Sequence, residues 1–275
     1  MIRDEPPGAA PRRPRALTVA GSDSGGGAGI QADLKTFAAF GVYGASAITA
    51  ITAQNTIGIR AIHEVPAAVV AAQIDAVLDD IGADAVKTGM LSSPEIIETV
   101  ADRLRAHAVA ALVVDPVMVA KSGDRLLRED AVRALRELLL PLAAVVTPNA
   151  PEATVLSGID VVGATSAREA ARRIHALGPA LVVVKGGHLE GATSDDLVFD
   201  GRTFEILSGR RVVTRNTHGT GCTFSAAIAA CLARGLAPFE AVREARAYLQ
   251  GAIEHAEPLG GGNGPVDHLW RLSND

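Results

Sequence analysis

The sequence predicts an α/β fold with a mostly parallel central sheet and an antiparallel edge hairpin, and three observations predict it. From Ala16 onward, short runs rich in Val, Leu and Ala alternate with longer stretches of helical period. The runs are near-continuously apolar, as suits strands covered on both faces. Polar and glycine-rich strings follow the runs, where ligand loops sit in open parallel sheets.

Taken in order, Ala16 to Ala20 is the first candidate strand, and Ile30, Leu34, Phe37 and Ala38 give the helical stripe after it. Ala45 to Ile51 follows, then a helix marked by Val69, Ile74, Val77 and Leu78. Asp84 to Thr88 precedes the stripe Ile96, Val100 and Leu104; Ala111 to Val114 precedes Val132, Leu135 and Leu139. Ala143 to Thr147 and Leu181 to Val184 complete the buried runs. Asp196 to Phe199 and Thr203 to Ile206 flank Asp200-Gly201, a two-residue turn signal that predicts the edge hairpin. Residues 1–15, rich in Pro and Arg, are expected to form a disordered extension. With no internal repeat and no dividing linker, 16–275 is expected to be a single domain.

Composition narrows the function. The chain has 275 residues, 48% of them hydrophobic, enough for a sizeable core. A net charge of -5 and 3% aromatics offer neither a basic footprint nor stacking platforms, so no nucleic-acid partner is expected. No run approaches the roughly 18 apolar residues of a membrane helix, and the first fifteen residues lack a signal-peptide core, so neither membrane insertion nor export is expected. Cys222 and Cys231 fall on one helical stretch, where a rise of about 1.5 Å per residue keeps them too far apart for a disulfide. A reducing cytoplasm is the expected location.

The chemistry collects after the apolar runs: Gly21-Ser22-Asp23, Lys87-Thr88-Gly89, Asp115-Pro116, Thr147-Pro148-Asn149 and Lys185-Gly186-Gly187. These should converge along one sheet edge. The strongest motif is Thr217 to Ser225 (THGTGCTFS), a glycine-rich turn entering the stripe Phe224, Ile228, Cys231 and Leu232. Its amides and the helix start favour phosphate oxygens; the plainer reading is a tight turn with an ordinary cap. Cys222 at that helix start is expected to have a lowered thiol pKa and to be able to take a proton from an attacking hydroxyl. Cys231 reads as core.

The loop Gly21 to Gly29 fails the G-x-G-x-x-G pattern, because Ile30 stands where the last glycine belongs, and no G-x-x-x-x-G-K-[ST] occurs. Asp33 reads either as a ligand group or as a first-turn carboxylate that stabilises its helix. Asp115 and Glu152 could share a water-rich magnesium shell, or serve as a cap and an ion-pair partner. Lys185 could meet phosphates or simply snorkel at a strand end. His188 and His218 lie in glycine-rich loops; His63, His107, His175 and His255 show no partner pattern.

Taken together, Ala20 to Asp33 (AGSDSGGGAGIQAD), Thr52 to Thr56 (TAQNT) and Lys87 to Leu91 (KTGML) resemble the signature set of the hydroxymethylpyrimidine/phosphomethylpyrimidine kinases of the ribokinase-like superfamily. Asp115 to Met118, Lys121 to Asp124, Thr147 to Asn149 with Glu152, Lys185 to His188, Asn216 to Cys222 and Gly264 to Val266 continue the resemblance in order. Gly25 stands where many relatives carry serine.

The resemblance implies a ribokinase-like three-layer sandwich and a homodimer. It also implies two successive phosphorylations by ATP, with magnesium: of 4-amino-5-hydroxymethyl-2-methylpyrimidine, then of its monophosphate to the diphosphate, in thiamine biosynthesis. By the same resemblance Gln54 and Asp33 would read the ring, and Gly21, Ala28, Thr52 and Met90 would shape its pocket. Asp115, Asn149 and Glu152 would organise magnesium and its waters. Lys185, with Asn149, Thr217, Gly219 and Gly221, would meet the nucleotide, and the segment Lys121 to Asp124 would close over the site. Cys222, where the sugar-kinase relatives hold aspartate, would be the base, and the amides of Gly219, Thr220, Gly221 and Cys222 would stabilise the transferring phosphoryl group. Two other readings stay open: a pyridoxal-type kinase of the same superfamily, and a non-catalytic pyrimidine-binding protein on the same fold.

Overall fold

Near-continuous Val, Leu and Ala runs with no charged face fold here as strands covered on both sides. A computed structural model describes residues 12–118, 129–188 and 193–272. Its strands are β1 (Arg15–Asp23), β2 (Tyr43–Gln54), β3 (Ile59–Glu64), β4 (Ala85–Thr88), β5 (Leu112–Val114), β6 (Val145–Val146), β7 (Leu181–Val184), β8 (Asp196–Phe199) and β9 (Phe204–Leu207). They form one sheet in the order β3-β2-β1-β4-β5-β6-β7-β8-β9. The six strands from β2 through β7 in that order are mutually parallel. β3 at one edge, and β8 and β9 at the other, run antiparallel.

Among the described residues eight α-helices cover the two faces: α1 (Gly29–Ala39), α2 (Ala67–Ala76), α3 (Pro94–Ala106), α4 (Glu129–Ala134), α5 (Ala150–Ser157), α6 (Ala164–His175), α7 (Thr220–Ala233) and α8 (Pro238–Glu254). α1, α7 and α8 bury Phe37, Phe224, Ile228 and Tyr248 against Ala16, Val113 and Val183. The other helices bury Val70, Ile74, Ile97, Ala131, Leu156 and Ile174 against Leu17, Val86 and Val146. Alternate residues of β1 and of β4 to β8 therefore serve two cores, the periodicity of a strand buried on both faces.

Four sequence expectations are corrected. β3 went unread, because Ile59 to Glu64 is exposed almost throughout and owes its form to pairing with β2. Val69 faces solvent, and Val70 with Ile74 carries the buried stripe of α2. Asp200-Gly201 is part of a four-residue loop rather than a two-residue turn, since the Asp200 carboxylate accepts from the amides of Arg202 (2.8 Å) and Thr203 (2.6 Å) and β9 starts only at Phe204. Order also begins before Ala16. Arg12 pairs with Asp84, Arg13 Nε donates to the Gly41 carbonyl at 3.0 Å, and Arg15 opens β1. Residues 1–11 of the expected extension lie outside the described residues, as does the segment Lys121 to Asp124.

Candidate active site

β1 lies between β2 and β4, so the strand order reverses there, and a crevice forms outside the carboxyl ends of the strands at such a point. A cavity of about 640 Å³ opens at that edge. Gly21, Ala28, Thr52, Gln54 and Met90 line it, as do Asp115, Asn149, Glu152 and Lys185, and, at and just before the start of α7, Thr217, Gly219, Thr220, Gly221 and Cys222. These were read from strings up to 200 residues apart, and the topology gathers them.

Asp33 is the exception. It is fully buried, and its carboxylate accepts from Lys87 Nζ at 2.9 and 3.0 Å and from the Thr18 hydroxyl at 2.6 Å. It lies beneath the cavity rather than in its wall, because the inward face of α1 carries it toward β4. Lys87, in a string expected at this sheet edge but given no role of its own, does reach the cavity. Burial alone would strip its proton, but the Asp33 carboxylate, with Cys222 and Asp115 nearby, more than offsets this and raises the Lys87 pKa. Removing either member would leave the other charge buried alone, at a cost of about 3–5 kcal/mol.

Cys222 stands in the first turn of α7 facing the cavity, as expected, but its thiol is not acidified. Burial pushes it up to about 11; the Lys87 cation opposes the shift, while Asp33 and Asp115 add to it. The expected low pKa is therefore corrected: desolvation and two carboxylates outweigh the helix start and Lys87.

The wall around Cys222 is set by Gly219, which caps α7 with φ of 78°. A Cβ there would lie 1.8 Å from the Gly27 carbonyl oxygen, so only glycine lets the two glycine-rich loops interlock. With Gly219 to Cys222 in the cavity wall, the first turn of α7 offers the amide donors and partial positive charge that suit an anion.

Lys185 stands between two carboxylates, 3.1 Å from Asp115 Oδ1 and 3.9 Å from Glu152 Oε2. Asp115 also accepts from the Ser225 hydroxyl at 3.1 Å, which ties it to α7. Asn149 and Glu152 form a reciprocal capping box on α5, each side chain accepting from the other's amide (2.9 and 2.8 Å). Glu152 is thus a helix cap that also lines the cavity. Burial pushes its carboxyl up to about 7, with Lys185 opposing and Asp115 adding. Among the described residues no group of three or more His, Cys, Asp and Glu gathers as a metal cage. The two carboxylates, with Lys185 between them, fit a magnesium held mainly by water and by the phosphates of a ligand, as this ion prefers.

The first glycine-rich loop is organised from within. The Asp23 carboxylate accepts from the amides of Gly25 (2.8 Å), Gly27 (3.2 Å) and Ala28 (2.8 Å), and lies 2.8 Å from His218 Nε2. Burial raises the Asp23 pKa, but His218 and the loop amides outweigh it and hold it below the ordinary range. Asp23 and His218 lie in strings expected at this edge, but the sequence assigns neither a role. An aspartate closing an apolar run, and a histidine beside the phosphate-type turn, were the available signals.

Val212, Leu249 and Ile253 add apolar lining to the cavity, which Arg211 and Gln250 also line. The buried pair of Arg246 Nε and Asp196 Oδ2 (3.0 Å) anchors α8 to β8 beside it.

The chain matches the family model described as phosphomethylpyrimidine kinase over residues 23–267. It is 58% identical over 264 residues to a hydroxymethylpyrimidine/phosphomethylpyrimidine kinase of Rhizobium meliloti, covering 94% of this chain and 98% of that one. It is 54% identical over 253 residues to the thiamine biosynthesis bifunctional protein ThiED of Geobacter sulfurreducens, spanning 92% of this chain but only 52% of that protein. Among solved structures, an ADP complex of Bacillus subtilis pyridoxal kinase superposes with a TM-score of 0.90 at 42% identity, covering 96% of this chain and all of that one. Phosphomethylpyrimidine kinase of Clostridium difficile superposes with a TM-score of 0.78 at 45% identity, covering 87% and 99%.

Proposed function

The chain belongs to the phosphomethylpyrimidine kinase family, with its ribokinase-like fold, and from that premise we propose how its cavity works. The enzyme is a hydroxymethylpyrimidine/phosphomethylpyrimidine kinase. It transfers the γ-phosphoryl group of ATP first to the hydroxymethyl oxygen of 4-amino-5-hydroxymethyl-2-methylpyrimidine and then to the resulting monophosphate. Each step breaks the bond between the γ-phosphorus and the β–γ bridging oxygen, forms a new P–O bond and releases ADP. The observation that carries this reading is that one cavity is lined both by Gln54 and Thr52 and by Lys185 and the start of α7.

Gln54 meets the polar edge of the ring, with Gly21, Ala28, Thr52 and Met90 around it; a carboxamide supplies the donor and acceptor an aminopyrimidine needs. The adenine lies against Val212, Leu249 and Ile253. Lys185, Asn149 and Thr217 meet the phosphates. Asp115 and Glu152 hold the waters of a magnesium ion, which supplies charge neutralisation for the phosphates. The amides of Gly219, Thr220, Gly221 and Cys222 face charge that develops on the transferring group. Lys87 adds a fixed positive charge from below. Cys222 takes the proton of the attacking oxygen in its thiolate form, a minor species at neutral pH given a thiol near 11. Phosphoryl transfer asks mainly for positioning and charge neutralisation, so a small thiolate fraction is compatible with turnover.

The pyridoxal-type reading has an observation of its own, the superposition on pyridoxal kinases. Offering the hydroxymethylpyrimidine, its monophosphate and pyridoxal in parallel with ATP and magnesium, and weighing the products, decides between them. Mono- and diphosphorylated pyrimidine products are expected. Pyridoxal phosphate as the sole product moves the enzyme to the sibling activity, and no turnover of any of the three leaves a binding protein.

A further inference from the structure

Gln54 closes β2 between two polar neighbours, and their hydrogens decide which way its carboxamide faces. Thr52 Oγ1 lies 2.9 Å from the Ser22 carbonyl oxygen and 3.0 Å from Gln54 Oε1. Gln54 Nε2 lies 3.4 Å from His218 Nε2, which is itself 2.8 Å from Asp23 Oδ2. A hydroxyl has one hydrogen. The Ser22 carbonyl can only accept it, which leaves Thr52 with lone pairs toward Gln54, so the hydrogens favour the carboxamide turned by 180° from this placement, with its NH2 toward Thr52.

The second neighbour gives the same answer independently. A carboxylate only accepts, so His218 Nε2 carries a hydrogen whether the ring is neutral or protonated, and the end of Gln54 suited to face it is the oxygen. With Nε2 left toward His218, an N–H would oppose an N–H; with the carboxamide turned, its oxygen meets that N–H, whose one hydrogen it shares with Asp23. The His218 ring is fixed in place. Its backbone amide donates to the Gly264 carbonyl at 3.0 Å, and Gly27 packs so closely that a Cβ there would lie 2.5 Å from His218 Cδ2.

We infer that the His218–Asp23 pair and the Thr52 hydroxyl lock Gln54 in one orientation and so make the pocket selective for an aminopyrimidine edge; the inference rests on the reading that Gln54 meets the ring. The locked carboxamide offers its remaining N–H on the Thr52 side and its oxygen on the His218 side. A 4-aminopyrimidine presents an amino donor beside a ring-nitrogen acceptor, which pairs with both, as an amide pairs with the edge of adenine. The 4-oxo analogue presents an acceptor beside an N–H donor and would need the reverse. His218 and Asp23 act through Gln54 and are positioning residues.

The test compares kcat/KM for the 4-amino substrate and for its 4-oxo analogue. The native enzyme is expected to favour the amino compound by about 100-fold or more. H218A and T52V should each bring the ratio down to about tenfold, and the double variant to near unity, with the gain on the oxo analogue seen mainly in KM. If activity falls equally on both compounds and the ratio stays put, His218 is only packing and the lock is refuted. Q54A separates the premise from the inference: unchanged kinetics on both compounds means Gln54 does not meet the ring at all. A measurement on the unaltered enzyme stands beside these, should the variants fold poorly. Ring nitrogen shifts of His218 are expected to show hydrogen on Nε2; hydrogen on Nδ1 alone overturns the inference.

Discussion

A thiol at a helix start is usually made more acidic, and Cys222 is not. The helix-start interaction is worth about 0.3–1 kcal/mol, which is small beside burial next to Asp33 and Asp115, so the thiol rises to about 11 even with Lys87 beneath it. Between pH 7 and 9.5 the thiolate is then a small fraction that grows about tenfold per pH unit. Alkylation by iodoacetamide should follow that slope and report Cys222 alone, because Cys231 is fully buried. If the thiolate is the base, kcat should climb with the same slope above pH 8, while C222A should be flat in pH and slower by about 100-fold. A flat native profile, with fast alkylation at pH 7, would remove the base role. The wrong expectation for Cys222 and the missed roles of Lys87 and His218 have one origin. Each depends on partners distant in sequence: Asp33, 54 residues from Lys87, and Asp23, 195 residues from His218. Residue type and spacing carry no trace of such a partner.

Two glycines two residues apart separate architecture from ligand space. Gly219 sits at φ 78° with the Gly27 carbonyl where its Cβ would go, so G219A must move one glycine-rich loop off the other. A stability loss of about 2 kcal/mol or more, a fall in Tm and a collapse of kcat are expected together. In Gly221 a Cβ would meet only Lys185 Nζ at 3.3 Å and Asp115 Oδ2 at 3.7 Å, on the cavity side. G221A should keep or slightly raise Tm, as alanine favours a helix by up to about 1 kcal/mol, while KM for ATP rises about tenfold. Equal loss of stability in both would deny that Gly221 faces the phosphates. The elements themselves were largely legible, since apolar runs such as Leu181 to Val184 are strands in the structure because both faces are buried. β1 and β2 run beyond their apolar runs, through Gly21-Ser22-Asp23 and Thr52-Ala53-Gln54, because backbone pairing with each other and with β3 continues where side-chain patterning stops. Those extensions bring Asp23 and Gln54 to the cavity.

At the scale of the molecule, the sheet ends in two edges that are treated differently. β9 is guarded: Glu205 is held by Arg243 at 2.8 Å, and Arg168 and Arg172 lie over the Phe204 ring at 4.7 and 5.0 Å. Among the described residues β3 carries no such cover, and Ile57 (73%), Ile51 (52%), Tyr43 (45%) and Ile62 (41%) are exposed on and around the β2–β3 flap. An open strand edge beside exposed isoleucines invites a further chain. The homodimer expected from the family resemblance would cover this flap, and an interface of ordinary size needs about 800 Å² from each partner. The flap also carries Thr52, Gln54 and Ile59 to the cavity wall, so a partner pressed on its outer face would steady the ring pocket. Light scattering at micromolar concentration is expected to give twice the 28.3 kDa chain mass. A charge at Ile62, as in I62K, should shift the enzyme toward the monomer while raising KM for the pyrimidine more than KM for ATP, because only the pyrimidine end of the cavity rests on the flap. A native enzyme that stays at 28.3 kDa, or an I62K dimer with native kinetics, would show that the edge is left open in solution and that β2 holds the pocket unaided.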